Sequence, residues 1–219
     1  MNQRTLALLA ATSASVIYGI NHTIAKNLMP EIIEPYGFIF LRISGAAVLF
    51  WLLSLFFPFE KVERKDWLRF LACGLFGMAI NMLMFFKGLS LSTPINSSVV
   101  ITLVPVILLI LSGIFLKEKI TWRKYVGIGL GLLGALFLIF FGMKTQNNAP
   151  NIPLGNVLFL VNATSYSIYL IIVKPLVEKY NSITLMKWLF LIAFIINFPI
   201  GINEFIEVEW SQLPLNIIS

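Results

Sequence analysis

From Ser98 to Leu116 the chain carries no charged side chain, and from Tyr125 to Met143 it again carries none. Each run is long enough to cross a bilayer, which takes about 20 predominantly apolar residues in a helix. Between them lies only Lys117-Glu-Lys-Ile-Thr-Trp-Arg-Lys124. Two apolar helices joined by so short and basic a turn predict a transmembrane hairpin. The turn is expected on the cytoplasmic side, where Lys and Arg accumulate. Pro105 interrupts the first helix, and Gly127, Gly131 and Gly134 fall on one face of the second. Small residues four apart let another helix approach closely. Packing within the chain is preferred over a dimer face for this row.

The rest of the chain repeats the theme. Thr5 to Ala25, about Tyr36 to Phe57, Trp67 to Phe86, Leu154 to Val173 and Trp188 to Ile202 are further predicted spans, giving about seven. The expected fold is an all-α integral membrane protein, a helical bundle. Composition agrees: 58% of residues are hydrophobic, 12% are charged and the mean hydropathy is +0.89, against about 25% charged in a soluble domain. The net charge of +6 does not signal nucleic acid, because the basic residues sit in short loops between apolar spans. The single cysteine, Cys73, lies inside a span, so neither a disulfide framework nor a cysteine metal site is expected. No cofactor pattern is present. The first span is read as retained rather than as a cleaved leader.

Charge counting orients the bundle. With the N-terminus cytoplasmic, the inner side receives Arg4, the Lys61 to Arg69 cluster, the Lys117 to Lys124 turn, and Lys174, Lys179 and Lys187. The outer side receives Lys26, Lys87 and Lys144, with Arg42 inside span two. The bias has the same sign at every inner loop, as expected for a plasma-membrane protein with a cytoplasmic N-terminus. The polar, proline-flanked stretch from Lys144 to Pro153 is the clearest break in the chain. Across it runs a weak echo: Ala11-Thr-Ser13 and Ile17-Tyr18 recur as Ala163-Thr-Ser165 and Ile168-Tyr169. A repeat unit of five spans is odd in number, so its second copy enters the membrane inverted, as in many transporters.

Asn96-Ser-Ser-Val-Val-Ile-Thr-Leu-Val-Pro105, then Phe115-Leu-Lys-Glu118-Lys-Ile-Thr-Trp-Arg-Lys-Tyr-Val-Gly127 and Leu132-Leu-Gly134, resemble the signature of the EamA-type family of the drug/metabolite transporter superfamily. Lys26 and Leu41-Arg42 fit the same pattern. The resemblance implies ten helices in two inverted five-helix repeats around a central substrate cavity. The chain supplies seven spans, so residues 1–144 are expected to form the first repeat, 145–153 a linker and 154–219 an incomplete second repeat. The implied function is transport of small metabolites, amino-acid-like or drug-like, with export by alternating access. A non-catalytic membrane subunit or a lipid-carrier flippase of the same superfamily is the alternative.

An enzyme is not expected. Intramembrane proteolysis would need paired aspartates, a His-Glu-x-x-His helix or a Gly-x-Ser-Gly with histidine, and none occurs. The predicted spans hold no Asp or Glu. His22 is the one histidine and the one group that titrates in the middle range. It reads equally as a proton or substrate site and as a hydrogen-bonded residue at the outer interface. Tyr18 and Asn21 sit beside it. Arg42 fits an anionic group of a substrate, but snorkelling or pairing with Glu31 or Glu34 is the preferred reading. Asn81 needs an amide partner, more often another helix than a ligand. Tyr166 and Tyr169 are pore-lining candidates against a default of packing. Pro105 is a hinge candidate, and Glu118 reads as a partner of the turn's own cations. The expected partners are the bilayer and a small-molecule substrate. A monomer is preferred, with a homodimer through the glycine row as the alternative.

Overall fold

The computed structural model describes residues 3–29, 32–115, 121–141 and 149–210. Nine α-helices account for most of these residues: α1 (Gln3–Leu28), α2 (Pro35–Ser54), α3 (Trp67–Cys73), α4 (Asn81–Leu91), α5 (Pro94–Ile101), α6 (Val104–Phe115), α7 (Trp122–Phe141), α8 (Ile152–Val177) and α9 (Ser182–Ile206). A 3₁₀ turn, Arg64–Asp66, leads into α3, and a π-helical segment, Gly74–Ile80, joins α3 to α4. The result is one rod from Arg64 to Leu91, and α5 with α6 form another from Pro94 to Phe115. Both rods, together with α2, α8 and α9, are long and apolar enough to cross a bilayer, which makes this a multi-pass membrane protein. The helices α1 and α7 occupy the other two predicted span positions.

Element ends depart from the sequence expectation where polar residues can be satisfied inside a helix. Lys87 lies within α4 rather than in a loop, with its Nζ 5.4 Å from the Tyr36 ring centroid. Lys187 lies in the second turn of α9, buried, with its ammonium 5.4 Å from the Trp51 ring. Aromatic faces hold these cations while their stems stay in apolar surroundings.

The helices α2 and α9 run antiparallel in close contact. At one end Glu204 Oε2 accepts from the backbone N–H groups of Tyr36 (2.7 Å) and Gly37 (2.8 Å). These are orphan donors of the α2 N-terminus, which favours a carboxylate. At the other end Trp51 packs edge-on against Trp188, centroids 5.4 Å apart. The second major contact, α4 on α8, is a glycine crossing. A Cβ on Gly155 would lie 2.5 Å from Ser92 Cβ and 2.8 Å from the Gly88 carbonyl oxygen. Lipid tails are as apolar as leucine, so association here rests on close packing and interhelical hydrogen bonds rather than on hydrophobic burial. The interior accordingly holds Ser92, Asn156, Asn162, Ser165, Ser167 and Asn197, while Leu55, Phe56, Leu68 and Leu130 face outward.

The predicted glycine row is corrected in part. Gly131 does meet another helix: its Cβ would lie 3.2 Å from Val106 of α6. Cβ atoms on Gly127 and Gly134 would meet no described atom within 4 Å. Among the described residues the row therefore meets another helix at Gly131, within the chain, and the tight crossings belong to Gly37, Gly74, Gly77, Gly88, Gly155 and Gly201.

The two ends of the bundle have distinct fastenings. At the end where α1 and α4 stop, Lys26 Nζ donates to the carbonyls of Leu89 (2.8 Å) and Ser90 (3.2 Å), cations being favoured at a helix C-terminus. At the opposite end Lys179 pairs with Asp66 and Glu63, each at 2.6 Å. The Tyr180 hydroxyl donates to Asp66 (2.7 Å) and accepts from the Glu63 N–H (3.1 Å). This latch ties the loop before α3 to the turn between α8 and α9.

Candidate functional site

A cavity of about 340 Å³ opens between α1, α2, α4, the α5–α6 break and α8. Four of the residues singled out in the sequence meet there: Asn21, Arg42, Asn81 and Tyr166. Counting along α4 from Asn81 to Leu91, and along α8 from Ile152 to Asn162, places both amides ten residues from a helix end. That is about 15 Å at 1.5 Å per residue, near the middle of a hydrocarbon core about 30 Å thick.

Asn81 and Asn162 clasp across the α4–α8 interface. Asn162 Nδ2 donates to the Asn81 carbonyl (2.8 Å), and Asn81 Nδ2 donates to the Asn162 carbonyl (3.4 Å). Asn81 thus has the helix-to-helix partner it requires at this depth, while both residues also line the cavity. Arg42 points inward. Its Nη1 donates to Asn21 Oδ1 across α1 and α2, and its guanidinium lies 5.2 Å from the Phe86 ring centroid. Phe86 is itself held edge-on by Phe85 at 5.1 Å. Arg42 is the one charged residue among the described residues that line this cavity.

One wall of the cavity contains a break between two helices. Pro105 has no N–H, so it cannot close the usual bond to the Ile101 carbonyl. The chain answers with a tight turn in which Thr102 and Leu103 donate to Val99 (3.2 Å) and Val100 (3.0 Å). Ile101 and Val104, on either side of that turn, line the cavity. The π segment Gly74–Ile80, which ends one residue before the cavity-lining Asn81, carries a wider hydrogen-bond spacing, and Ser165 Oγ of α8 donates to its Phe76 carbonyl at 2.7 Å. π segments inside helices occur often at functional sites.

Tyr169 does not line the cavity. It is buried, its ring lies where a side chain on Gly77 would stand, and it packs on Tyr166 with centroids 5.7 Å apart. Of the two readings given for it, pore lining and packing, these contacts are packing contacts, made against the glycine opposite it. The side chains of Tyr18 and His22 lie outside the described residues, as does Glu118. Asn162, Phe85 and Phe86 were missed by sequence reasoning. Asn162 carried a signal, an amide after five apolar residues and one residue before the Ala163-Thr-Ser165 echo, with Asn156 as a second amide in the same span. The two phenylalanines carried none, since span three is rich in aromatic and aliphatic residues throughout.

Comparison with known proteins assigns the chain. The profile of the EamA-like transporter family matches residues 5–140. An uncharacterized transporter of Archaeoglobus fulgidus is 33% identical over 153 residues, which cover 70% of this chain and 52% of the relative. The uncharacterized transporter YetK of Bacillus subtilis is 25% identical over 209 residues, covering 94% of this chain and 62% of that protein. The chain thus spans about half to two thirds of the length of these relatives. No solved structure matches. The chain belongs to the EamA-like transporter family.

Proposed function

We propose that this member of the EamA-like family carries small metabolites across the plasma membrane, as an exporter working by alternating access. The observation that carries this reading is the mid-depth cavity. It is polar at Asn21, Arg42, Asn81 and Asn162, walled by phenylalanine, bounded by the α5–α6 break, and lined at Asn81 where a π segment ends. Polar groups this deep are costly unless they face protein or water. Non-helical backbone at membrane depth is tolerated where it is buried in protein or lines a cavity. The Pro105 turn and the π segment are the hinges of this proposal, since each already departs from the regular helix on either side.

The topology proposed is seven spans with a cytoplasmic N-terminus: a complete five-span repeat in residues 1–144 and the first two spans of an inverted copy in 154–219. The antiparallel pairing of α2 with α9, the second spans of the two units, supports it, because symmetry-equivalent helices of inverted copies meet in this way. The consistent basic bias of the inner loops supports the orientation. The protein acts as a monomer, with the bilayer and a small solute as its partners. The test is solute flux in proteoliposomes containing the purified chain, compared with an Asn81→Leu variant. Solute-dependent flux reduced by the variant is expected. Equal leak from protein-free and protein-containing vesicles, over a panel of amino acids and drug-like solutes, refutes the reading.

A further inference from the structure

The clasp between α4 and α8 uses one end of each amide and leaves the other. A backbone carbonyl accepts only from an N–H, so the atoms by which Asn81 and Asn162 reach each other's carbonyls are the two Nδ2 atoms. Both Oδ1 atoms are turned away from that contact. Neither accepts a hydrogen bond from a described residue, and neither is sealed inside the protein as Asn197 Oδ1 is. Asn162 is 6% exposed, and both residues line the cavity of about 340 Å³. The two oxygens therefore open into that cavity. An amide oxygen at such depth costs free energy until water or a ligand supplies a donor.

Asn21 follows the same logic with the opposite outcome. A guanidinium only donates, so Arg42 holds Asn21 Oδ1 and leaves Nδ2 as a donor on the α1 wall. The Tyr166 hydroxyl lines the same space. Around these groups the walls are apolar, with Phe85, Phe86 and Met82 from α4 and Ile101 and Val104 beside the Pro105 turn. The volume falls within the ~300–1,000 Å³ of small-molecule sites.

Resting on the transporter reading, we infer that the cargo is an uncharged solute with a hydrogen-bond-donating head, a carboxamide or comparable N–H group, on an apolar or aromatic body. Oδ1 of Asn81 and of Asn162 take its N–H groups, and its carbonyl faces Asn21 Nδ2 and the Tyr166 hydroxyl. No carboxylate is among the described residues lining the cavity, so an ammonium head would lose hydration without gaining a counter-ion. A carboxylate head would set two more acceptors against the two Oδ1 atoms. Arg42 is already engaged by Asn21 and the Phe86 ring and is not part of the recognition.

Four probes sharing one ring separate the alternatives. Phenylacetamide is uncharged and carries N–H donors, methyl phenylacetate is uncharged without a donor, phenylacetate is an anion and 2-phenylethylamine a cation. Each is radiolabelled, and its binding to the purified 219-residue chain in detergent is measured by equilibrium dialysis. Flux of each into proteoliposomes is measured separately. Phenylacetamide is expected to bind tenfold or more tightly than the other three. Asn162→Ala is expected to bring the amide to the affinity of the ester while leaving the ester unchanged, whereas damage to the fold lowers both. The comparison on the unmodified chain stands even if the variant fails to fold. Equal affinity for amide and ester, preference for either charged probe, or no saturable binding of any probe overturns the inference. Flux of a charged probe or of the ester without flux of the amide leaves the transporter reading intact and removes the uncharged donor as cargo. Amide-selective binding with no flux of any probe keeps the recognition and refutes the transporter reading.

Discussion

Replacing Gly155 with alanine puts one methyl group into the α4–α8 crossing. In the structure that methyl lies 2.5 Å from Ser92 Cβ, 2.8 Å from the Gly88 carbonyl oxygen and 3.0 Å from the Ser92 nitrogen. Two of these three atoms are backbone, so no side-chain rotation relieves the clash. Carbon atoms rest at about 3.5–4.0 Å, so α4 and α8 must separate by about 1 Å. The Ser92 Oγ–Asn156 Oδ1 hydrogen bond, now 2.9 Å, then stretches beyond useful range. Overpacking costs about 1–3 kcal/mol, and the strained bond adds about 0.6 kcal/mol, the average for interhelical hydrogen bonds in a bilayer. Against this, alanine gains up to about 1 kcal/mol of helix propensity over glycine. The net loss is about 1–3 kcal/mol. Gly127→Ala is the matched control, because no described atom lies within 4 Å of its Cβ. It keeps the propensity gain without the clash. The two variants are expected to differ by about 2–4 kcal/mol when the purified proteins are unfolded by SDS titration from a mild detergent. Coincident midpoints for Gly155→Ala and Gly127→Ala would show that the α4–α8 crossing is not closed as described.

Four further outcomes are expected. Cysteines introduced at Thr121 and at Asn148 should differ, with only Asn148→Cys reacting with an impermeant thiol reagent added outside cells. The sole native cysteine, Cys73, is buried and adds little background, and labelling of Thr121→Cys in intact cells reverses the orientation. His22→Gln should flatten the pH profile of transport between about pH 5 and 8, with expression unchanged, and an unaltered rate and profile removes His22 from the mechanism. The latch should be pH-bounded on both sides. Hydrogen bonds from Lys179, then Lys65, hold the Glu63 carboxyl below its ordinary value of 4.5, so its contribution is present above that value and is lost as pH falls through the lower, folded one. Bonds to Asp66 and Glu63 raise Lys179 above 10.5, so its contribution is present below 10.5 and is lost as pH rises through the folded value. Thermal stability in detergent should be level between these limits and fall outside them, and an acid limb equally steep in Lys179→Ala excludes the pair as its source. Finally, Gly131→Leu should lower yield and stability more than Leu132→Phe, because its side chain meets Val106 of α6, and equal behaviour places that face in lipid.

The five helices long and apolar enough to cross a bilayer, and their order, were legible in the residues alone, for a physical reason. A bilayer forces each apolar run of sufficient length into a helix, and most charges gather in the loops and at helix ends. The break at Pro105 was equally legible, because the missing N–H is a property of the residue and not of its neighbours. What the amino-acid order could not express is the rotation of each helix about its axis. In water the buried face is the apolar one, but here lipid and interior are similarly apolar, so Tyr166 and Tyr169 are indistinguishable in sequence. Only tertiary packing turned Tyr166 to the cavity and Tyr169 onto Gly77. The glycines follow the same logic. Gly127-x-x-x-Gly131 has the spacing of a close contact, yet the tight crossings formed where a second helix lay opposite, at Gly88 with Gly155, at Gly37 against Glu204 and at Gly201 against Tyr36. Among the described contacts of Arg42, Asn21 and Phe86, both on other helices, hold it inward. The reciprocal clasp of Asn81 and Asn162 joins residues 81 positions apart, a pairing set by where α8 packs and by nothing local to either residue.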